Sequence, residues 1–183
     1  MNRFFAVAAA VLAATATDAK VFLSQEEALK LAFPEATVER KTAFLTTEQQ
    51  REAQALSKDE ELPSALVVYY VATREGQTVG TAYFDTHIVR TMPETIMVVV
   101  DPQGRAARIE VLAFQEPEEF LPRPRWYEQF QGKPLNGELS MKRGIRPVAG
   151  ATLTARATTE AARRVLALHE VLHRAPAAKA ASP

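Results

Sequence analysis

Two back-to-back pairs of β-branched, aromatic-rich runs constrain this chain more than any other feature. "ALVVYYVAT" (65–73) and "TVGTAYFDT" (78–86) are separated only by the turn residues "REGQ". "ETIMVVV" (94–100) and "RAARIEVLAF" (105–114) flank "DPQG", in which Pro102 fixes φ and Gly104 can take a positive φ. Runs this rich in valine, tyrosine and isoleucine favour a pleated, half-buried surface, and turns this short leave no room for a crossover. The expectation is an antiparallel meander of four strands. Gly80, inside a strand, predicts a bulge or a close backbone approach.

Helices flank the meander. "LSQEEALKLAFPEA" places Ser24 three residues before Glu27, which is a capping box, and Pro34 closes the segment. Thr47 with Gln50 predicts a second capped helix over "TEQQREAQALS". Near the C-terminus, Ala161, Val165, Leu168 and Leu172 recur at spacings of four, three and four, predicting a helix that starts at about Thr154–Thr158 and buries that stripe. The fold class is therefore α+β: a single domain with helices packed on an antiparallel sheet. The expected organisation is a signal peptide over residues 1–19, an N-terminal helical segment over 20–63, the main domain over 64–174 and a disordered tail over 175–183.

The signal-peptide expectation rests on Arg3, then an apolar run from Phe4 to about Ala14, then small residues. The run is too short to cross a bilayer. Thr17 and Ala19 suit the positions before a cut at Lys20, with a cut after Ala16 as the alternative, and the expected location is periplasmic or otherwise exported. With no cysteine, the chain can hold neither a disulfide, a cysteine-ligated iron–sulfur cluster nor a thioether-attached haem. Zero formal net charge gives no electrostatic reason to expect nucleic acid.

Between Gln115 and Val148 lies an irregular stretch with five of the eleven prolines and the only tryptophan, Trp126. A short helix is expected around Trp126–Phe130. From Arg123 to Arg146 the stretch carries six basic residues against two acidic ones, and it runs straight into "VAGATLTARATTEAARRVLALHEVL". One threonine near a helix start is an N-cap, a role that Thr154 or Thr158 fills. Thr152, directly after Gly150-Ala151, is left over. A glycine turn, a free hydroxyl, a helix N-terminus and upstream cations together favour a phosphate beside Thr152.

"AGATLT" (149–154), with the helix behind it, resembles the covalent FMN-binding domain family. That family includes components of the sodium-pumping NADH:quinone reductase and of the Rnf complex, together with small exported flavoproteins. Its motif reads Ser-Gly-Ala-Thr-x-Ser/Thr, and its threonine after Gly-Ala is esterified by the FMN phosphate. The stretches "YFDTHIVRTMPETIMVVVDPQG" and "VLAFQEPEEFLPRPRWYEQFQGK" are also similar to the small exported branch, so the resemblance spans roughly 65–172. It implies FMN on Thr152, the C-terminal helix following the Gly-Ala-Thr attachment turn, and Gly150, Ala151, Leu153 and Thr154 around the phosphate. Ala149 stands where the motif has Ser or Thr. "EPEEF" stands in place of the Glu-Thr-Pro-Gly loop of the respiratory-complex members.

Trp126 is a candidate to stack on the flavin ring. His87, Arg90 and Glu116 are candidates to contact the ring or phosphate. His169 and His173, four apart and with no third ligand evident, read as a solvated pair at a helix end, and no metal is expected. The function implied is an exported electron-transfer flavoprotein that shuttles electrons between redox partner proteins or quinone-linked membrane complexes and is loaded by a periplasmic flavin transferase. The alternatives are a flavin-dependent reductase of an extracytoplasmic acceptor and a flavin-free periplasmic adaptor.

Overall fold

The computed structural model describes residues 20–58, 62, 64–141 and 143–174. The signal peptide and the tail expected from sequence lie outside the described residues. The chain forms an α+β fold around one antiparallel sheet of six strands: β1 (Lys20–Val21), β2 (Thr37–Phe44), β3 (Leu66–Arg74), β4 (Gln77–Ile88), β5 (Pro93–Val100) and β6 (Ala106–Phe114), in the order β1-β6-β5-β4-β3-β2. Four helices accompany it: α1 (Gln25–Ala32), α2 (Thr47–Ser57), α3 (Pro124–Tyr127) and α4 (Thr152–His173).

The meander β3–β6 is the expected one. Its first turn is reduced to Glu75 and Gly76, both at positive φ (52° and 76°), the pair that a two-residue hairpin with the sheet's own twist requires. The segment 20–63, expected to be helical, also contributes β1 and β2. β2 pairs with β3 over its whole length, from Thr37 opposite Thr73 to Phe44 opposite Leu66. "TVERKTAF" is an edge strand with little buried surface, so it lacks the apolar alternation that would reveal it.

β5 is central and covered on both faces, which explains its unbroken apolar run. Ile96, Val98 and Val100 face α4 and pack with Ile109, Ala162, Val165 and Leu166. Met97 and Val99 face α1 and pack with Ala28, Phe33, Ala72, Ala82 and Leu112. At Gly80 both sequence expectations are met. Val79 is bulged out, since Gly80 pairs with Ala72 and Thr78 with Thr73. A Cβ on Gly80 would stand 2.9 Å from the Phe33 ring and 3.2 Å from the Val100 carbonyl oxygen.

The second capping box sits one residue earlier than expected. Gln49 N–H donates to Thr46 Oγ1 (3.2 Å) and Thr46 N–H to Gln49 Oε1 (2.9 Å). Doubled threonines and glutamines make the two registers indistinguishable by spacing. Gln50 instead donates from its side chain to the Leu45 carbonyl. In α4, Ala161 and Val165 are buried as expected, whereas Leu168 and Leu172 are half-buried. Among the described residues no helix is long and apolar enough to cross a membrane.

Candidate functional site

Helix α4 starts at Thr152, two residues earlier than expected, and its N-cap is Ala151, which supplies no side-chain cap. The expected capping roles of Thr154 and Thr158 are therefore not realised. Both hydroxyls point into the protein: Thr154 donates to the Phe120 carbonyl, and Thr158 to Glu94 Oε2 at 3.1 Å. Thr159 bonds back to the Ala155 carbonyl at 2.6 Å. All three are buried; Thr154 and Thr158 are held by tertiary contacts that spacing alone cannot reveal, and Thr159 by a bond one turn back in its own helix.

Thr152 differs from the other three. Its side chain is exposed, and its hydroxyl donates only to the Val148 carbonyl, at 3.2 Å. The turn beneath it depends on Gly150, whose φ of 84° disfavours a side chain. The first-turn N–H groups of a helix have no intrahelical partner, and with no capping side chain they are left facing this turn. Arg90, Phe120, Gly150, Ala151, Leu153 and Thr154 line a shallow cleft of about 170 Å³ around Thr152. The Arg90 guanidinium lies over the Phe120 ring, 4.4 Å from its centroid. Leu153 is exposed beside the cleft.

Of the residues singled out from sequence, the structure brings Arg90, Gly150, Ala151, Thr152, Leu153 and Thr154 together. Glu116 acts one step away. One of its carboxylate oxygens accepts from Thr91 N–H (2.7 Å), Met92 N–H (3.0 Å) and the Thr91 hydroxyl (3.2 Å), fixing the β4–β5 connection that carries Arg90. The Thr91 amide leads the effects that hold this carboxyl below the usual range.

Trp126 is not brought to the cleft. Its indole N–H donates to the Arg146 carbonyl at 2.7 Å, and its ring packs edge-on against Tyr127 and Phe130. There it anchors the basic loop to α3. The short helix expected at Trp126–Phe130 is present as α3 followed by a 3₁₀ turn at Glu128–Phe130.

His87 lies beneath α4 in a buried network that sequence reading missed. Its Nδ1 is 2.9 Å from Asp85 Oδ1 and its Nε2 is 3.0 Å from Glu94 Oε2. Arg164 grips Asp85 with two bonds of 2.9 Å. A ring with carboxylates at both nitrogens donates from both and is an imidazolium. Burial opposes that charge, but Asp85 and Glu94 outweigh it and lift the His87 pKa to about 9. Burial likewise pushes Asp85 up, and His87 and Arg164 outweigh it, holding its pKa at about 2. Glu94 Oε1 and the Tyr127 hydroxyl are both buried with no close partner among the described residues other than each other, and burial, then Glu94, pushes the Tyr127 hydroxyl up. The sequence signal was present in "YFDTHI": Tyr83, Asp85 and His87 alternate onto one face of β4, and that face meets α4.

Arg163 is a second buried cation outside the sequence reading. It donates to the carbonyls of Leu56 and Ser57 at the end of α2, and to those of Asn136 and Leu139. Of the paired histidines, His173 is exposed at the end of α4 as expected, whereas His169 is half-buried. Their rings stack at 4.2 Å, and His169 Nδ1 is 3.0 Å from the Tyr83 hydroxyl.

In comparisons with protein-family models, curated proteins and solved structures, none matches this chain.

Proposed function

We propose that this chain is an exported electron-transfer flavoprotein that carries FMN through a phosphoester on Thr152. The observation that carries the reading is the contrast among the junction threonines. Thr154, Thr158 and Thr159 are buried and committed to tertiary or helical bonds, whereas Thr152 alone offers an exposed hydroxyl, at a helix start with no side-chain cap. The residues present suit the phosphate: Arg90 supplies a cation, the first-turn amides supply donors, and Gly150 keeps the approach open. Esterification removes the hydroxyl proton, so the bond to Val148 is given up, and the group that loses its donor is one backbone carbonyl in a surface turn.

A cleft of about 170 Å³ suits a phosphate and is too small for a flavin ring, which would stay open to a redox partner. FMN supplies reversible one- and two-electron chemistry when bound. The protein tethers it, and tethering raises the effective concentration of the ring at a surface too shallow to retain it by contacts alone. The partners are redox proteins or quinone-linked membrane complexes, and a periplasmic flavin transferase attaches the cofactor.

The test is co-expression with a flavin transferase in an exporting host, read by intact mass and in-gel flavin fluorescence. Wild type should gain the FMN mass and fluoresce. Thr152→Ala should lose both while unfolding at the wild-type temperature. Thr154→Ala should keep the flavin and lose about 1 kcal/mol of stability with its bond to Phe120. Colourless wild type, or covalent FMN on Thr152→Ala, defeats the reading.

A further inference from the structure

The histidine pair lies at the other end of α4, at a cleft of about 370 Å³ that Lys41, Tyr69, Thr81, Asp101, His169 and His173 help to line. We propose that His169 and His173 form a two-imidazole site for a divalent transition-metal ion of the nickel, copper or zinc class. Spacing of four residues on a helix puts the two side chains on one face, one turn apart. The rings are stacked at 4.2 Å with 21° between their planes.

Each ring is oriented through its Nδ1, and each is left with Nε2. His173 Nδ1 is 2.9 Å from the His169 carbonyl oxygen. A carbonyl only accepts, so Nδ1 carries the proton and Nε2 the lone pair. His169 Nδ1 is 3.0 Å from the Tyr83 hydroxyl, which accepts from Nδ1–H in one tautomer and donates to Nδ1 in the other; metal binding selects the first, in which Nε2 is again the ligand atom. Hydrogen bonds of this kind to the far ring nitrogen fix tautomer and orientation in metal-ligating histidines.

Aromatic neighbours hold the pair further: Tyr69 meets the His173 ring edge-on at 5.7 Å, Tyr83 meets His169 in the same way at 5.8 Å, and the two tyrosines stack on each other. Near-parallel rings aim their lone pairs side by side, so metal binding requires rotation about the soft histidine χ2 to converge the two nitrogens on one ion. Two charged side chains also line the cleft, Asp101 favouring a cation and Lys41 opposing it. No group of three or more His, Cys, Asp or Glu side chains gathers among the described residues, so the site has two protein ligands, with water completing the coordination.

The chain makes a clean test. It has three histidines and no cysteine, and the third histidine, His87, has both nitrogens engaged by carboxylates. Titration of the exported chain with Ni²⁺ by calorimetry should give one equivalent bound. Paramagnetic broadening should reach the ring resonances of His169 and His173 and spare those of His87. His173→Ala, an exposed substitution, should weaken Ni²⁺ binding at least tenfold and abolish any metal-dependent rise in melting temperature. His173→Asn, of similar polarity, should do the same, so that loss of binding is separated from loss of packing. Equal binding by wild type and His173→Ala overturns the proposal, as does an absence of Ni²⁺ binding by wild type.

Discussion

Ala151 stands at the most informative position for a single atom. An N-cap serine typically stabilises a helix by about 1 kcal/mol over alanine, yet the longest helix here begins without one. A cap would fold its hydroxyl over the same first-turn amides that a phosphate beside Thr152 would use. Ala151→Ser should therefore raise stability by about 0.5–1 kcal/mol in urea denaturation and slow flavin attachment in the transferase assay. A variant that is both more stable and flavinylated as fast as wild type would show that those amides have no part in holding the phosphate. Gly80 poses the opposite constraint, since an added methyl there runs into Phe33 and the Val100 carbonyl. Gly80→Ala should cost about 1–3 kcal/mol as an overpacked contact of β4 with Phe33 and β5, read as a lower urea midpoint. An unchanged midpoint would mean that the Phe33 ring moves aside freely.

The contact between α4 and the sheet combines an apolar stripe with a buried ionic network, and pH should separate the two. The His87 pKa rises from 6.5 to about 9 on folding, so its contribution is complete below pH 6.5 and is lost as pH climbs through 9. Asp85 is depressed from 3.8 to about 2, so its contribution is present above 3.8 and is lost as pH falls toward 2. Stability should be greatest from about pH 4 to 6.5 and fall on the alkaline side by something on the order of 3 kcal/mol. His87→Gln should flatten that alkaline limb in a series of urea unfolding curves, and parallel limbs in variant and wild type would remove His87 as its source. The helix itself, the four meander strands and the glycine turn were legible in the sequence, because apolar period and turn chemistry are local properties. The hydroxyl destinations were not. Thr154 and Thr158 look like caps until Phe120 and Glu94 are known to lie beside them. The burial of Arg163 and Arg164 depends likewise on acceptors on α2 and β4 that are remote in sequence. Around Thr152 the sequence motif and the cleft agree on a compact set of neighbours. Trp126 and His87 were drawn toward the site by residue type, and packing placed them elsewhere.

At the scale of the whole molecule, residues 20–63 complete the sheet and seat α4. β2 covers the edge of β3, a strand whose sequence "LVVYYVATR" is aromatic, β-branched and uncharged until its last residue. Exposed, such an edge is a template for pairing with other chains. Helix α2 packs along α4 through Ala53 against Ala167 and Val171, and its last carbonyls take up the buried Arg163 guanidinium. Removing 20–63 would take away the Leu56 and Ser57 carbonyls that accept from that buried cation, a change that costs several kcal/mol. It would also uncover the β3 edge at the same moment. The remainder would keep Thr152, Gly150 and Arg90 and the contacts of α4 with the sheet, but lose the α2 face that packs along α4. A chain lacking residues 20–63 should therefore be recovered as aggregate and take up no flavin from the transferase, whereas Arg163→Met in the full-length chain should stay soluble and lose at least about 3 kcal/mol. Light scattering and circular dichroism decide the point. A soluble, monomeric truncation with the native spectrum would mean that the four-strand meander and α4 form a self-sufficient unit, and that β2 and α2 are additions to it.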